Sequence, residues 1–107
     1  GNVKVRRRRQ GKSRWARGYG VWVHDVFAFR GSPAAWAESL IEVRDAVTLS
    51  PTASDRKKLR RLGSDPLIAR LTDDDGEYVD FATTSEHALD LLGPFAAVAA
   101  TKSPATS

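Results

Sequence analysis

Residues 67–82 read LIARLTDDDGEYVDFA. Leu67–Leu71 and Glu77–Ala82 are each rich in β-branched, aliphatic or aromatic residues, and Thr72 to Gly76 between them is polar. The Asp75-Gly76 step is a strong hairpin signal, because Gly accepts the positive φ that a tight antiparallel connection needs. One antiparallel hairpin is therefore written into the chain, and its neighbours must extend that sheet or cover it.

Upstream, Ser54 to Gly63 predicts a short helical turn, with Ser54 or Asp55 placed to cap its start and Gly63 to close its end. Leu49-Ser50-Pro51 separates it from Ala34–Leu49, which supports two readings. As a helix, Trp36, Leu40 and Val43 fall on one face. As strands, Leu40–Val43 and Ala46–Leu49 flank a turn at Arg44-Asp45. Gly20–Arg30, GVWVHDVFAFR, reads as strand from its β-branched and aromatic density. One face takes Val21, Val23, Phe27 and Phe29, and the other takes Trp22, Val26 and Ala28. His24-Asp25 marks a bulge or a tight turn, and Gly31-Ser32-Pro33 ends the segment.

Downstream, Thr83-Thr84-Ser85-Glu86 has the form of a capping box, and Leu89, Leu92 and Phe95 follow at helical spacing. Gly93-Pro94 predicts a kink or a stop near Leu92, since Pro lacks the backbone donor and crowds the preceding turn. Three parts result: a basic flexible arm over 1–19, one β-rich domain with a C-terminal helix over 20–99, and a disordered tail over 100–107. The strand count lies between four and seven.

The charge is distributed unevenly. Residues 1–20 carry eight cations and no acid, while 21–107 carry nine cations and all thirteen acids. The high isoelectric point thus belongs to the first twenty residues. With 41% apolar and 28% charged residues the composition is that of a globular chain, and its length suits one small domain. The absence of Cys excludes a disulfide scaffold, a thiolate metal site and a cysteine nucleophile. The first residue is Gly, so the sequence is expected to begin inside a longer protein or at a processed end.

The pattern Gly20-x-Trp22-x-His24-x-Val26-x-x-Phe29-Arg30-Gly31, followed by Trp36 and Ser39-Leu40, resembles an actinobacterial family of membrane proteins known as domain of unknown function 2550. The resemblance spans roughly residues 20–97 of the sequence. It implies an α+β, mostly β domain: a small, bent antiparallel sheet or partly open barrel, pleckstrin-homology-like, closed by a C-terminal helix. It implies that Ala34–Leu49 is largely strand, with Trp36 and Leu40 facing the core. It also implies an N-terminal membrane helix ahead of this segment, with the domain at the cytoplasmic face. The interrupting Gly93-Pro94 departs from the family pattern. No activity is carried over.

Two basic clusters are the candidate sites for an anionic lipid headgroup or phosphate. The first is Arg6, Arg7, Arg8, Arg9, Lys12 and Arg14, with Arg17 beyond and Trp15 and Tyr19 suited to a membrane interface. The second is Arg56, Lys57, Lys58, Arg60 and Arg61, which Leu59 and Leu62 would anchor. The bland alternatives are a membrane-flanking charge cluster and a solvated loop. Asp73-Asp74-Asp75 lacks the alternating ligands of a calcium loop and reads as a hairpin tip. His24 and Asp25, adjacent on a strand, point to opposite faces and cannot easily pair, so His24 is expected to pack near Trp22 and Trp36. His87 reads as a surface residue. Neither Ser39 nor Ser85 has a partner arrangement for a nucleophile, and no phosphate loop or dinucleotide fingerprint occurs. The sequence therefore points to a non-enzymatic binding or scaffold domain, without cofactor, metal or small-molecule substrate. Its expected partner is a membrane protein or an anionic lipid surface. The alternative is a nucleic-acid-binding protein using the arm and the 56–61 cluster.

Overall fold

Six antiparallel strands form one sheet that bends round into a ring. The computed structural model describes residues 2–31 and 38–98, and the backbone of 101–102. The strands are β1 (Val3–Arg9), β2 (Ala16–Val23), β3 (Val26–Gly31), β4 (Glu38–Leu49), β5 (Leu67–Asp73) and β6 (Tyr78–Thr83). Each pairs with its neighbours in sequence, and β1 also pairs with β6, which closes the ring. The ring is not a barrel paired along every edge. The first half of β4 pairs with β3 and the second half with β5, and a register shift at Val43/Asp45 marks the changeover.

That shift corrects the turn expected at Arg44-Asp45. Ser39, Ile41 and Val43 face inward before it, and Ala46 and Thr48 after it, so one inserted residue switches the inward parity of the strand. The strand reading of 38–49 is therefore right. Leu40 does not face the core: it is 66% exposed because its parity is the outward one. Trp36 lies outside the described residues, as do 32–35, 37, 99–100 and 103–107.

The basic arm is no arm. Val3 and Val5 are buried, with exposed Lys4 between them and half-buried Arg6 after them, a strand alternation that fits the place of β1 between β2 and β6 in the sheet. Residues 16–19 begin β2. His24-Asp25 is a two-residue turn between β2 and β3, with Val23 opposite Val26 and His24 at φ 56°. His24 is thus exposed at a hairpin tip rather than packed near Trp22. The turn also regroups the faces. Trp22 lies opposite Phe27, and Gly20 opposite Phe29, so these share the inner side while Val21 and Val23 look outward.

The inner side is aromatic. The Phe27 ring meets Phe81 edge-on at 4.8 Å, Phe29 meets Phe81 at 5.5 Å, and Trp22 lies 5.0 Å from Phe27. Gly18 and Gly20 make this possible: a Cβ at either would run into the Phe29 or Phe27 ring. Each buried ring contributes roughly 1.5–3 kcal/mol.

One end of the ring is closed by the C-terminal helical segment, a 3₁₀ turn (Ser85–His87), α2 (Ala88–Leu92) and a second 3₁₀ turn (Gly93–Phe95). Helix α2 stops at Leu92, as Gly93-Pro94 requires. Trp22 Nε1 donates to the Leu91 carbonyl at 2.9 Å and ties this cap to β2. The expected capping box is not formed: Thr83 still belongs to β6, and its hydroxyl donates to the Lys4 carbonyl. Leu91 and Leu92 face the core, whereas Leu89 and Val98 are exposed.

The outer face of β5 and β6 carries α1 (Ala53–Lys58) and a 3₁₀ turn (Arg60–Leu62), with Leu59 and Leu62 packed on Ile68 and Ala82. The cap of α1 is Thr52 rather than Ser54 or Asp55: Thr52 Oγ1 accepts from the Asp55 amide, and Asp55 Oδ2 accepts from the Thr52 amide. Gly63 closes the segment at φ 98°, as expected. Thr101–Lys102, read in the sequence as disordered tail, pairs in parallel with Thr48-Leu49, where the second half of β4 has an edge not used by β3.

Candidate anion-binding face

Because β1 alternates, its four consecutive arginines do not form one cluster. The structure sends them to different places. Arg8 points outward under α1, where Nη1 lies 2.9 Å from Asp55 Oδ1 and Nη2 lies 2.9 Å from Asp80 Oδ2. Its guanidinium also sits 4.4 Å above the Trp15 ring. Asp80 is buried and accepts from Arg70 Nε at 2.8 Å as well, a bond that holds the Arg70 guanidinium above its ordinary pKa. Arg8 therefore staples β1 to β6 and α1 and is not available to a ligand.

Arg7 points inward, 4.6 Å from the centre of the Phe29 ring, at the open end of the ring. A cavity of about 690 Å³ opens there, with Arg7, Arg9, Ile41 and Leu71 on its walls and Glu42, Asp74, Asp75 and Glu77 around it. Burial and the neighbouring Arg9 lower the Arg7 pKa. The hairpin tip accounts for Asp73, whose carboxylate accepts from the amides of Asp75 and Glu77. The acids at this mouth make it a poor seat for an anion.

Arg6 faces outward on the opposite side of the strand from Arg7. Its direct cross-strand partner is Arg17 of β2, a like-charge pairing that costs stability wherever it occurs. A groove of about 620 Å³ runs beside them, lined by Lys4, Arg6, Arg17, Tyr19 and Arg61, with Glu86 and His87 at its far side. The Arg6 pKa is lowered by burial first, and then by the fields of Arg17 and Arg61. Three guanidiniums and one ammonium thus converge on one concavity. Glu86 is the only acid lining it among the described residues.

Of the second basic cluster, only Arg61 reaches this groove. Arg56 donates to the Ser64 carbonyl at 2.8 Å and Lys58 to the Ser13 carbonyl at 3.2 Å, both as local braces. Lys57 and Arg60 are exposed on the helical segment, and Lys12 and Arg14 lie on the exposed loop between β1 and β2. Arg9 lies at the acidic mouth. The structure so joins Arg6 and Arg17 of the first basic stretch with Arg61 of the second, and adds Lys4. Lys4 lay outside the predicted set, although Val3-Lys4-Val5-Arg6 alternation places it beside Arg6. His87 is exposed, with Nδ1 3.2 Å from Asp90 Oδ2. Comparison with protein-family models, curated proteins and solved structures gives no match to this chain.

Proposed function

We propose that this domain is a non-enzymatic docking module that binds an anionic, phosphate-bearing lipid surface through Lys4, Arg6, Arg17 and Arg61. The observation that carries the reading is the Arg6–Arg17 pair: two guanidiniums set directly opposite each other, with a third bringing its field to bear. Such an arrangement lowers the stability of the free protein and is relieved when phosphates enter. The rest of the reading follows from the sequence. The chain is taken as a relative of domain of unknown function 2550, held at the cytoplasmic membrane face by an N-terminal helix. Its antiparallel ring with a helical segment over one end is taken as a variant of pleckstrin-homology-like architecture. Support for that last point is the meander order of the strands and the position of α2.

The test is co-sedimentation with phosphatidylcholine vesicles, with and without phosphatidylglycerol, using the double variant Arg6→Gln/Arg17→Gln. Two charges at about 1 kcal/mol each predict about thirtyfold weaker binding to the anionic vesicles. The variant Arg56→Gln/Lys57→Gln removes the same charge outside the groove and should cost much less. Equal losses in the two variants would reduce the groove to net charge alone. Tighter, groove-dependent binding to duplex DNA, falling steeply with salt, would transfer the function to nucleic acid.

A further inference from the structure

The register of the sheet sets an apolar row beside the cationic groove. On the outer face, Val21 of β2 lies directly opposite Ala28 of β3, and Ala28 opposite Leu40 of β4. In the next row Val23 lies opposite Val26. Tyr19 precedes Val21 on the same face and is opposite Lys4 of β1. Tyr19 is also a wall of the groove and of a shallow hollow shared with Val21 and Ala28, so the charged and apolar parts are continuous. Leu40 is 66% exposed, Val23 56% and Tyr19 43%.

Resting on the reading above, we infer that this face lies flat on the bilayer, with Tyr19, Val23 and Leu40 in the interfacial layer while Lys4, Arg6, Arg17 and Arg61 meet lipid phosphates. Charge complementarity selects the occupant. A cationic end, a tyrosine at the boundary and an aliphatic row beyond match, in that order, the headgroup phosphates, the interface and the upper acyl region. Arg30 on this face is already neutralised by Glu38 at 3.0 Å. The other acids near the row are Asp25 at the β2–β3 turn, Glu42 opposite Val26, and Asp73, Asp74, Asp75 and Glu77 at the mouth that Leu40 also borders; none of them lines the cationic groove. A nucleic acid would use the groove and leave the aliphatic row wet.

The chain contains no Cys, so a single cysteine can report depth without background. Leu40→Cys, and Leu89→Cys as an exposed control on α2, are labelled with an environment-sensitive fluorophore and titrated with phosphatidylglycerol vesicles. The label at 40 is expected to shift to the blue and resist an aqueous quencher, while the label at 89 stays aqueous. In parallel, Val23→Thr/Leu40→Thr, which puts a β-branched, strand-favouring residue at both positions, should weaken binding about tenfold. Its deficit should persist at high salt, where groove contacts are screened. Vesicle binding that needs Arg6 and Arg17 but leaves the label at 40 aqueous overturns this orientation and spares the groove. Absence of binding to any anionic vesicle overturns both. A thermal melt matching the parent shows that the threonine variant is folded.

Discussion

On β1 the parity of a position decides which side of the sheet a side chain takes, and its place along the strand decides the neighbours it meets there. Arg6, Arg7 and Arg8 are chemically identical neighbours, yet one faces a groove of cations, one stacks on a core ring and one is held by two carboxylates. Asp80→Asn should therefore destabilise the fold by about 2 kcal/mol in urea melts. It would leave Arg8 and Arg70 without their shared partner, discounted because both guanidinium heads reach water. Arg17→Gln should do the reverse. Removing one member of an unfavourable cross-strand pair raises stability by a few tenths of a kcal/mol, up to ~1 kcal/mol, while weakening vesicle binding. A structural role for Arg17 predicts that stability and binding fall together, so one melt and one sedimentation curve separate the two. Gly20→Val forces a Cβ into the Phe27 ring and should cost 1–3 kcal/mol or more, an overpacking penalty read as a lowered Tm.

At the scale of elements, the hairpin of β5 and β6 and the stop at Gly93-Pro94 are legible in the sequence, because turn chemistry acts locally, whereas the local signals of β4 fit helix and strand alike and only its pairing with β3 and β5 decides between them. The N-terminal segment is not, because four adjacent arginines hide the alternation that Val3 and Val5 carry. Its inner partners are residues of β2 and β6, far along the chain, and no local window contains them. The groove escapes sequence reading for the same reason: Arg6, Arg17 and Arg61 come from three elements, the first two joined by pairing register and the third by the packing of the helical segment on the sheet. The faces of β2 and β3 go astray because a two-residue turn, rather than a bulge, sets their relative parity. A direct consequence is that residues 1–9 are not removable. Their deletion takes away Val3, Val5 and the Arg8 staple and should unfold the domain, as loss of β-type circular dichroism, where a flexible arm would leave the spectrum intact. Leu59→Ala on the helical segment over β5 and β6 should cost about 2–4 kcal/mol through the cavity it leaves.

For the whole molecule, charge is sorted by surface as well as by sequence: cations over β1, β2 and the Arg60–Leu62 turn, acids at the open mouth of the ring. Any anion that occupies the groove binds only the folded state and must raise its stability by linkage. Sulfate is expected to raise Tm more than chloride at equal ionic strength, and the difference should shrink in Arg6→Gln/Arg17→Gln. The pairing of β1 with β6 also governs when the domain can form. Arg8 and Asp80 are 72 positions apart, so the first strand made is the last to find its second neighbour. Until β6 emerges from the ribosome, one edge of β1 stands open, and an open edge invites pairing with another chain. Arg6-Arg7-Arg8-Arg9 answers that hazard: two copies of this strand repel each other in any register that aligns them. The same run of charge that draws the finished domain to an anionic surface keeps the unfinished chain to itself.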